Sequence, residues 1–289
     1  MSEPTTHSVN APGATIYYNV RDAAGPNDAP PLMLIGSPMD ASGFATLAGH
    51  FPDRTVVTYD PRGAARSKRT DGAARTTPAE HANDLHLVIE ALGGGPVDLF
   101  ATSGGAVNAL ALVAEHPEDV RTLVAHEPPS APVLPDAEEA MAATTDIGET
   151  YRRDGFGPAM AKFITLVSHK GPIPADFADQ PAPDPAMFGL PTEDDGTRDD
   201  ALVGQNIVTC THYEPNFDAL RAASTRIVVA AGIESEGEMA HRGALGVAER
   251  LGMAPVMFPS NHGGFLGGEY GQTGDPDGFA AALREVLGR

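Results

Sequence analysis

The chain has 289 residues, 42% hydrophobic and 20% charged, long enough to bury a substantial core as one large domain or two small ones. Its net charge of −20 argues against nucleic acid or an anionic membrane surface as a partner, since either needs a basic patch to displace counterions. A single cysteine, Cys210, excludes an internal disulfide and any cysteine-based metal cluster.

No apolar run reaches the length of a membrane span, and the start of the chain (MSEPTTHSVN) lacks the basic-then-apolar layout of a signal peptide, so a cytoplasmic location is expected. In chain order, residues 8–20 alternate as a β-hairpin about Pro12-Gly13, with Ile16, Tyr17, Tyr18 and Val20 in its second strand. After a Pro/Gly/Asn loop, residues 31–35 (PLMLI) are apolar throughout, as a strand covered on both faces should be, and stop at Gly36-Ser37-Pro38. Residues 44–51 predict a short helix, and residues 55–59 a second buried strand that ends in Asp60-Pro61-Arg62-Gly63. Thr77, Pro78 and Glu80 then supply a capping box with proline at the first helical position. Leu85, Val88, Ile89 and Leu92 give that helix one apolar stripe before Gly93-Gly94-Gly95 ends it.

Residues 97–101 predict a strand that turns abruptly on Ser103 into a helix of Ala, Val and Leu. Ala101 and Gly105 flank the serine two positions either side, small enough for a turn so sharp that its apex residue is forced into an unfavourable backbone conformation with its hydroxyl exposed above the sheet. Another buried strand, residues 120–125, closes on His126-Glu127-Pro128-Pro129. Alternation of buried strands with helices to this point implies a doubly wound, mostly parallel sheet.

Between residues 130 and 220 the composition turns to Pro and Asp, with helical stretches at 136–151, 158–168 and 201–209 and no convincing core strand. This reads as a helical cap inserted over the carboxyl edge of an α/β core made of residues 1–129 and 221–289. Phe156, Met160, Phe163, Met187, Phe188, Tyr213 and Phe217 are candidates for its pocket-facing side, although most residues of these types at helical spacing simply pack. Residues 225–231 return to strand, 237–251 form an amphipathic helix stopped by Gly252, 255–258 a last short strand and 277–287 the closing helix. Between the last strand and that helix lies PSNHGGF.

The ATSGG turn resembles the nucleophile elbow, G-x-S-x-G, of the α/β-hydrolase family, with Ala101 in place of the first glycine. Asp60-Pro61-Arg62-Gly63 with Ser67 resembles the family's D-x-R-G-x-G-x-S loop, where Asp60 and Arg62 are expected to give structural support, and His262-Gly263-Gly264-Phe265 resembles its H-x-G-F. The resemblance covers almost the whole chain outside the cap. It implies a serine nucleophile at Ser103, a general base at His262, and an acid that orients the base. In most of the family the acid follows the strand that here is residues 225–231, three positions after its glycine. Counting from Gly232 that position is Ser235, which cannot serve, with Glu234 and Glu236 on either side. A second family location, at the end of the strand after the nucleophile helix, holds Glu127. Its backbone is fixed between a histidine and two prolines, so Glu127 is preferred and Glu234 is the alternative. Of the other histidines, His126 and His212 are placed near the site without a catalytic role, and the rest fall on helices or termini without an evident partner.

Two N–H groups should stabilise the developing oxyanion: that of Gly104, after the nucleophile at a helix start, and that of Ser37, with Met39 the second choice. Met39, Phe156, Met160, Phe188 and Tyr213 are the expected substrate contacts. These residues predict hydrolysis of an ester, thioester or related acyl bond of a small to medium apolar substrate. The competing readings are a non-catalytic binding protein on the same fold, and a cofactor-free haloperoxidase or C–C hydrolase using the same triad. Asp is the nucleophile in the family's dehalogenases and epoxide hydrolases, so Ser103 argues against both. No cofactor or metal is implied, since the sequence has no Cys/His ligand spacing, no Walker loop and no dinucleotide-binding glycine pattern.

Overall fold

The computed structural model describes residues 3–288. A hairpin of β1 (Thr5–Ala11) and β2 (Ala14–Arg21) opens the chain, turning at Gly13 with φ +76°. β2 then joins, antiparallel to β4, a sheet with strand order β1-β2-β4-β3-β5-β6-β7-β8. The remaining strands, β3 (Leu32–Ile35), β4 (Val56–Tyr59), β5 (Val97–Thr102), β6 (Val120–His126), β7 (Arg226–Gly232) and β8 (Val256–Phe258), pair parallel.

Side chains alternate across this sheet, and both faces are covered. In β3, Met33 and Ile35 join the core on the side of α2 (Pro78–Ala91), α3 (Gly104–Glu115) and α8 (Met239–Leu251), whereas Leu32 and Leu34 meet Phe44, Leu47, Phe265 and Phe279 on the side of α1 (Ala45–Gly49) and α9 (Pro276–Leu287). The capping box of α2 forms: Glu80 N–H donates to Thr77 Oγ1 at 3.2 Å and Thr77 N–H to the Glu80 carboxylate at 2.8 Å. Arg62 is buried and grips both Asp84 carboxylate oxygens, at 2.5 and 2.9 Å, and the Pro12 carbonyl of the hairpin turn at 2.6 Å. Burial outweighs the guanidinium at Asp84 and leaves its carboxyl above the usual range. Asp60 accepts from Ala41 N–H at 3.2 Å and from Arg66 Nε at 2.5 Å, so it holds two loops together.

The chain leaves β3 for β4 on one side and then crosses to β5 on the other. The strand order therefore reverses at β3, and the crevice beyond the carboxyl ends of β3 and β5 is where a sheet of this kind binds ligands. A helical layer roofs it: α4 (Ala137–Asp154), α5 (Phe156–Val167), a π-helical turn at Ala201–Asn206 and α6 (Ile207–Thr211), packed around Ile147, Tyr151, Leu166 and Ile207. One flank of the layer is tied to the start of α2. Thr76 N–H donates to the Gln205 carbonyl at 3.1 Å, Thr209 Oγ1 to the Thr76 carbonyl at 2.5 Å, and His81 Nε2 meets Asn206 Oδ1 at 2.8 Å. A helix that hydrophobic spacing alone did not reveal, α7 (Phe217–Ala222), starts at Asn216, whose side chain accepts the Ala219 N–H at 3.1 Å. Its Phe217 and Leu220, with Tyr213 just before, pack into the main core, so neither Phe217 nor Tyr213 is pocket lining.

Candidate active site

Ser103 sits between β5 and α3 with φ 56° and ψ −130°, a conformation a residue with a Cβ holds only at a cost of about 1–3 kcal/mol. Its neighbours are small because the loop after β3 presses against the start of α3. A Cβ on Gly104 would lie 2.5 Å from the Ser37 carbonyl oxygen, and one on Gly105 would lie 2.8 Å from Gly36 Cα. The Gly104 N–H, on the first residue of α3, has no carbonyl partner within the helix, and Gly104 and Ser37 border the same cavity as Ser103.

Glu127 follows β6 with φ 49° and is wholly buried. Its N–H is fixed to the Ala230 carbonyl of β7 at 2.9 Å, and its carboxylate is fully engaged. Oε1 accepts the Gly232 N–H at 2.8 Å and the Ser235 hydroxyl, and Oε2 lies 2.5 Å from His262 Nδ1. Burial pushes the carboxyl up, but the hydrogen bond and charge of His262, with His126 and Ser235 adding to them, hold it down to about 2. Burial likewise opposes the His262 imidazolium, and the Glu127 carboxylate overcomes it, so the ring stays above its usual range. With Nδ1–H donated to the carboxylate, Nε2 carries the lone pair.

Glu234, the alternative acid, is exposed, with its carboxylate 3.5 Å from Ser260 Oγ and its N–H on the Ser260 carbonyl; it contributes nothing to the cavity wall. Ser235, set aside as unable to be the acid, is wholly buried and donates to Glu127. That supporting role was missed, and the signal for it was present: a hydroxyl standing where a carboxylate is expected is the natural donor for one arriving from the next strand.

Ser103 and His262 both line a cavity of about 520 Å³. Among the described residues no hydrogen bond joins Ser103 Oγ to the ring in this conformation, and such contacts often close only with substrate in place. Beneath the ring lies His126, fully buried, its centroid 6.0 Å from that of His262 and its Nδ1 3.0 Å from Thr102 Oγ1. Burial keeps it neutral, with its pKa pushed down to about 4. His212, also placed near the site, bonds within the helical layer to Thr144 Oγ1 at 3.0 Å, and Thr144 lines the cavity.

Met39 lines the cavity, as do Phe163, Leu166, Leu202, Ile207 and Phe265. Phe156, Met160, Phe188 and Tyr213 do not. On α5 the cavity-facing positions are Phe163, Leu166 and Val167, which leaves Phe156 and Met160 packed inside the helical layer. Phe188 lies in a single helical turn at the surface, 37% exposed beside Met187 at 77%. The π-helical turn supplies Leu202 and Asn206, lining that helical periodicity could not have assigned. Exposed Val167, Ser168 and Tyr270 border the cavity at its rim, and Glu238 lies at the start of α8.

On the far side of the molecule, His86, His116 and Asp119 place ligand atoms within 4.8 Å of one another, a grouping not expected from sequence. His86 Nδ1 is 2.7 Å from Asp119 Oδ2, and the two rings stack at 3.9 Å with planes 11° apart. An ion must lie near the plane of each imidazole it binds, and nearly parallel rings share no such point without turning.

A family model for the alpha/beta hydrolase fold matches residues 32–202. The chain is 28% identical over 266 residues, 89% of both chains, to the uncharacterized hydrolase YraK of Bacillus subtilis (strain 168). Among solved structures, an enol-lactonase from Burkholderia xenovorans LB400 is similar at a TM-score of 0.66 and 16% identity, over 98% of this chain and 100% of that one. A thermophilic esterase from Thermogutta terrifontis is similar at a TM-score of 0.65 and 19% identity, over 99% and 98%. At these identities the structural likeness concerns the fold.

Proposed function

Because the chain belongs to the alpha/beta hydrolase fold family, with its family model spanning residues 32–202, we propose that it is a serine hydrolase cleaving an ester, thioester or related acyl bond through an acyl-enzyme. The observation that carries this reading is the Glu127–His262 contact of 2.5 Å on the wall of the cavity that also holds Ser103. Nε2 of His262 takes the Ser103 proton as Oγ attacks the carbonyl carbon, and Glu127 stabilises the imidazolium that results. The N–H groups of Gly104 and Ser37 receive the oxyanion, an interaction worth roughly 3–4 kcal/mol per donor in such sites. His262 then returns the proton to the leaving oxygen or sulfur, and water repeats the sequence on the acyl-enzyme. A cavity of about 520 Å³ under a helical roof suits a small or medium acyl group with an apolar body and excludes polymers.

The test is labelling of Ser103 by a fluorophosphonate together with turnover of a short p-nitrophenyl ester. Both should be lost in Ser103→Ala while thermal unfolding stays cooperative. An unlabelled wild-type serine with no turnover would favour a binding protein on the same fold.

A further inference from the structure

We propose that Glu238 is a specificity residue and that the preferred acyl substrate carries a cationic group, an ammonium or quaternary nitrogen, on its acyl chain. This rests on the serine-hydrolase reading and deepens it. Glu238 is the one carboxylate among the described residues lining the cavity, and no lysine or arginine shares the wall with it. Its carboxyl is half-buried at the start of α8, near enough to Glu127 and His262 to feel the charge of both. Among the described residues it forms no ion pair. Lys170, of the adjoining backbone bridge, whose charge reaches the carboxylate, extends its ammonium to the Glu234 carbonyl at 3.4 Å instead. The walls around it, including Phe163, Leu166, Val167 and Met239, are apolar.

A half-buried carboxylate without an ion-pair partner in such a pocket is incompletely compensated, and a ligand that brings a cation recovers interaction energy that a neutral ligand cannot. An anionic acyl chain meets Glu238 and Glu127 with the same sign and is disfavoured. Because Glu238 lies beside His262 without bonding it, the contact it offers falls on the substrate's chain and not on the scissile carbonyl. The preference should therefore appear in KM more than in kcat.

The experiment compares two isosteric p-nitrophenyl esters, 4-(trimethylammonio)butanoate and 5,5-dimethylhexanoate, on the wild type and on Glu238→Gln, which keeps the residue's size. The expected wild-type preference for the cation in kcat/KM is about tenfold to a hundredfold, carried by KM and falling towards one in the variant. A wild-type ratio near one, or a ratio that Glu238→Gln leaves unchanged, overturns the proposal. If neither ester is turned over and Ser103 takes no fluorophosphonate, the hydrolase reading has failed. Calorimetric titration with the two corresponding primary amides then decides the cation preference by binding alone, and equal affinities overturn it.

Discussion

Glu127 and Glu234, the two acids the sequence offers, are opposite in fate in the structure: one is buried and fully bonded, the other exposed on a loop. Glu127→Gln should lower kcat by two to three orders of magnitude, about 3–4 kcal/mol in the barrier, whereas Glu234→Gln should be mild; ester kinetics on folded variants read both. In the proposed mechanism the Glu127–His262 pair sets the pH profile. As the proposed base His262 would have to be unprotonated, and Glu127 holds its pKa above the ordinary value of about 6.5, so kcat/KM should rise with pH through a midpoint above that value. In Glu127→Gln the midpoint of the residual activity should move down. At this scale the sequence was legible in the placement of Ser103 and His262 on one cavity wall and of Glu127 against His262. It was less legible where contacts decide: Ser235 stood at a motif position, but its hydrogen bond to Glu127 depends on a neighbouring strand, and the bond of the His126 ring to Thr102 has no signature in the sequence.

At the level of elements, strands and helices that alternate with a clear period were readable, and so was the elbow, since its small residues answer to contacts of backbone on backbone. Gly105→Ala would set a Cβ against Gly36 Cα at 2.8 Å, and backbone on both sides leaves little to yield. A loss of roughly 1–3 kcal/mol in urea unfolding is expected, with a disproportionate fall in kcat as the Ser37 loop is pushed from the start of α3. The helical roof was legible as helix but not as lining. Which face of α5 looks inward is set by its partners, and the π-helical turn at Ala201–Asn206 breaks the period from which a face is inferred. Short α7 escaped for a related reason: six residues give too few repeats to show a stripe.

Across the whole molecule, two buried neutral histidines couple folding to pH. His81 and His126 are both pushed down to about 4 by burial, while the unfolded chain protonates such rings near about 6.5. Between those values the unfolded state binds more protons, so stability falls as pH falls, by on the order of 3 kcal/mol per ring at most. His262 acts in the opposite sense, its raised pKa contributing stability that is present below about 6.5 and lost as pH rises through the folded value. Urea midpoints should drop between about pH 6.5 and 4, and His81→Gln should flatten that slope by one proton; an unchanged slope would remove His81 from the account.

The moorings of Thr76, His81 and Asn206 also bear on traffic. They tie down the flank beside α2, while exposed Val167, Ser168 and Tyr270 border the cavity at its rim. Under the proposed function, reactant and product have a route between the end of α5 and the loop bearing Tyr270. For bulky acyl groups, departure by this route should be slower than bond cleavage, so kcat should fall as solvent viscosity rises while that of a short ester does not.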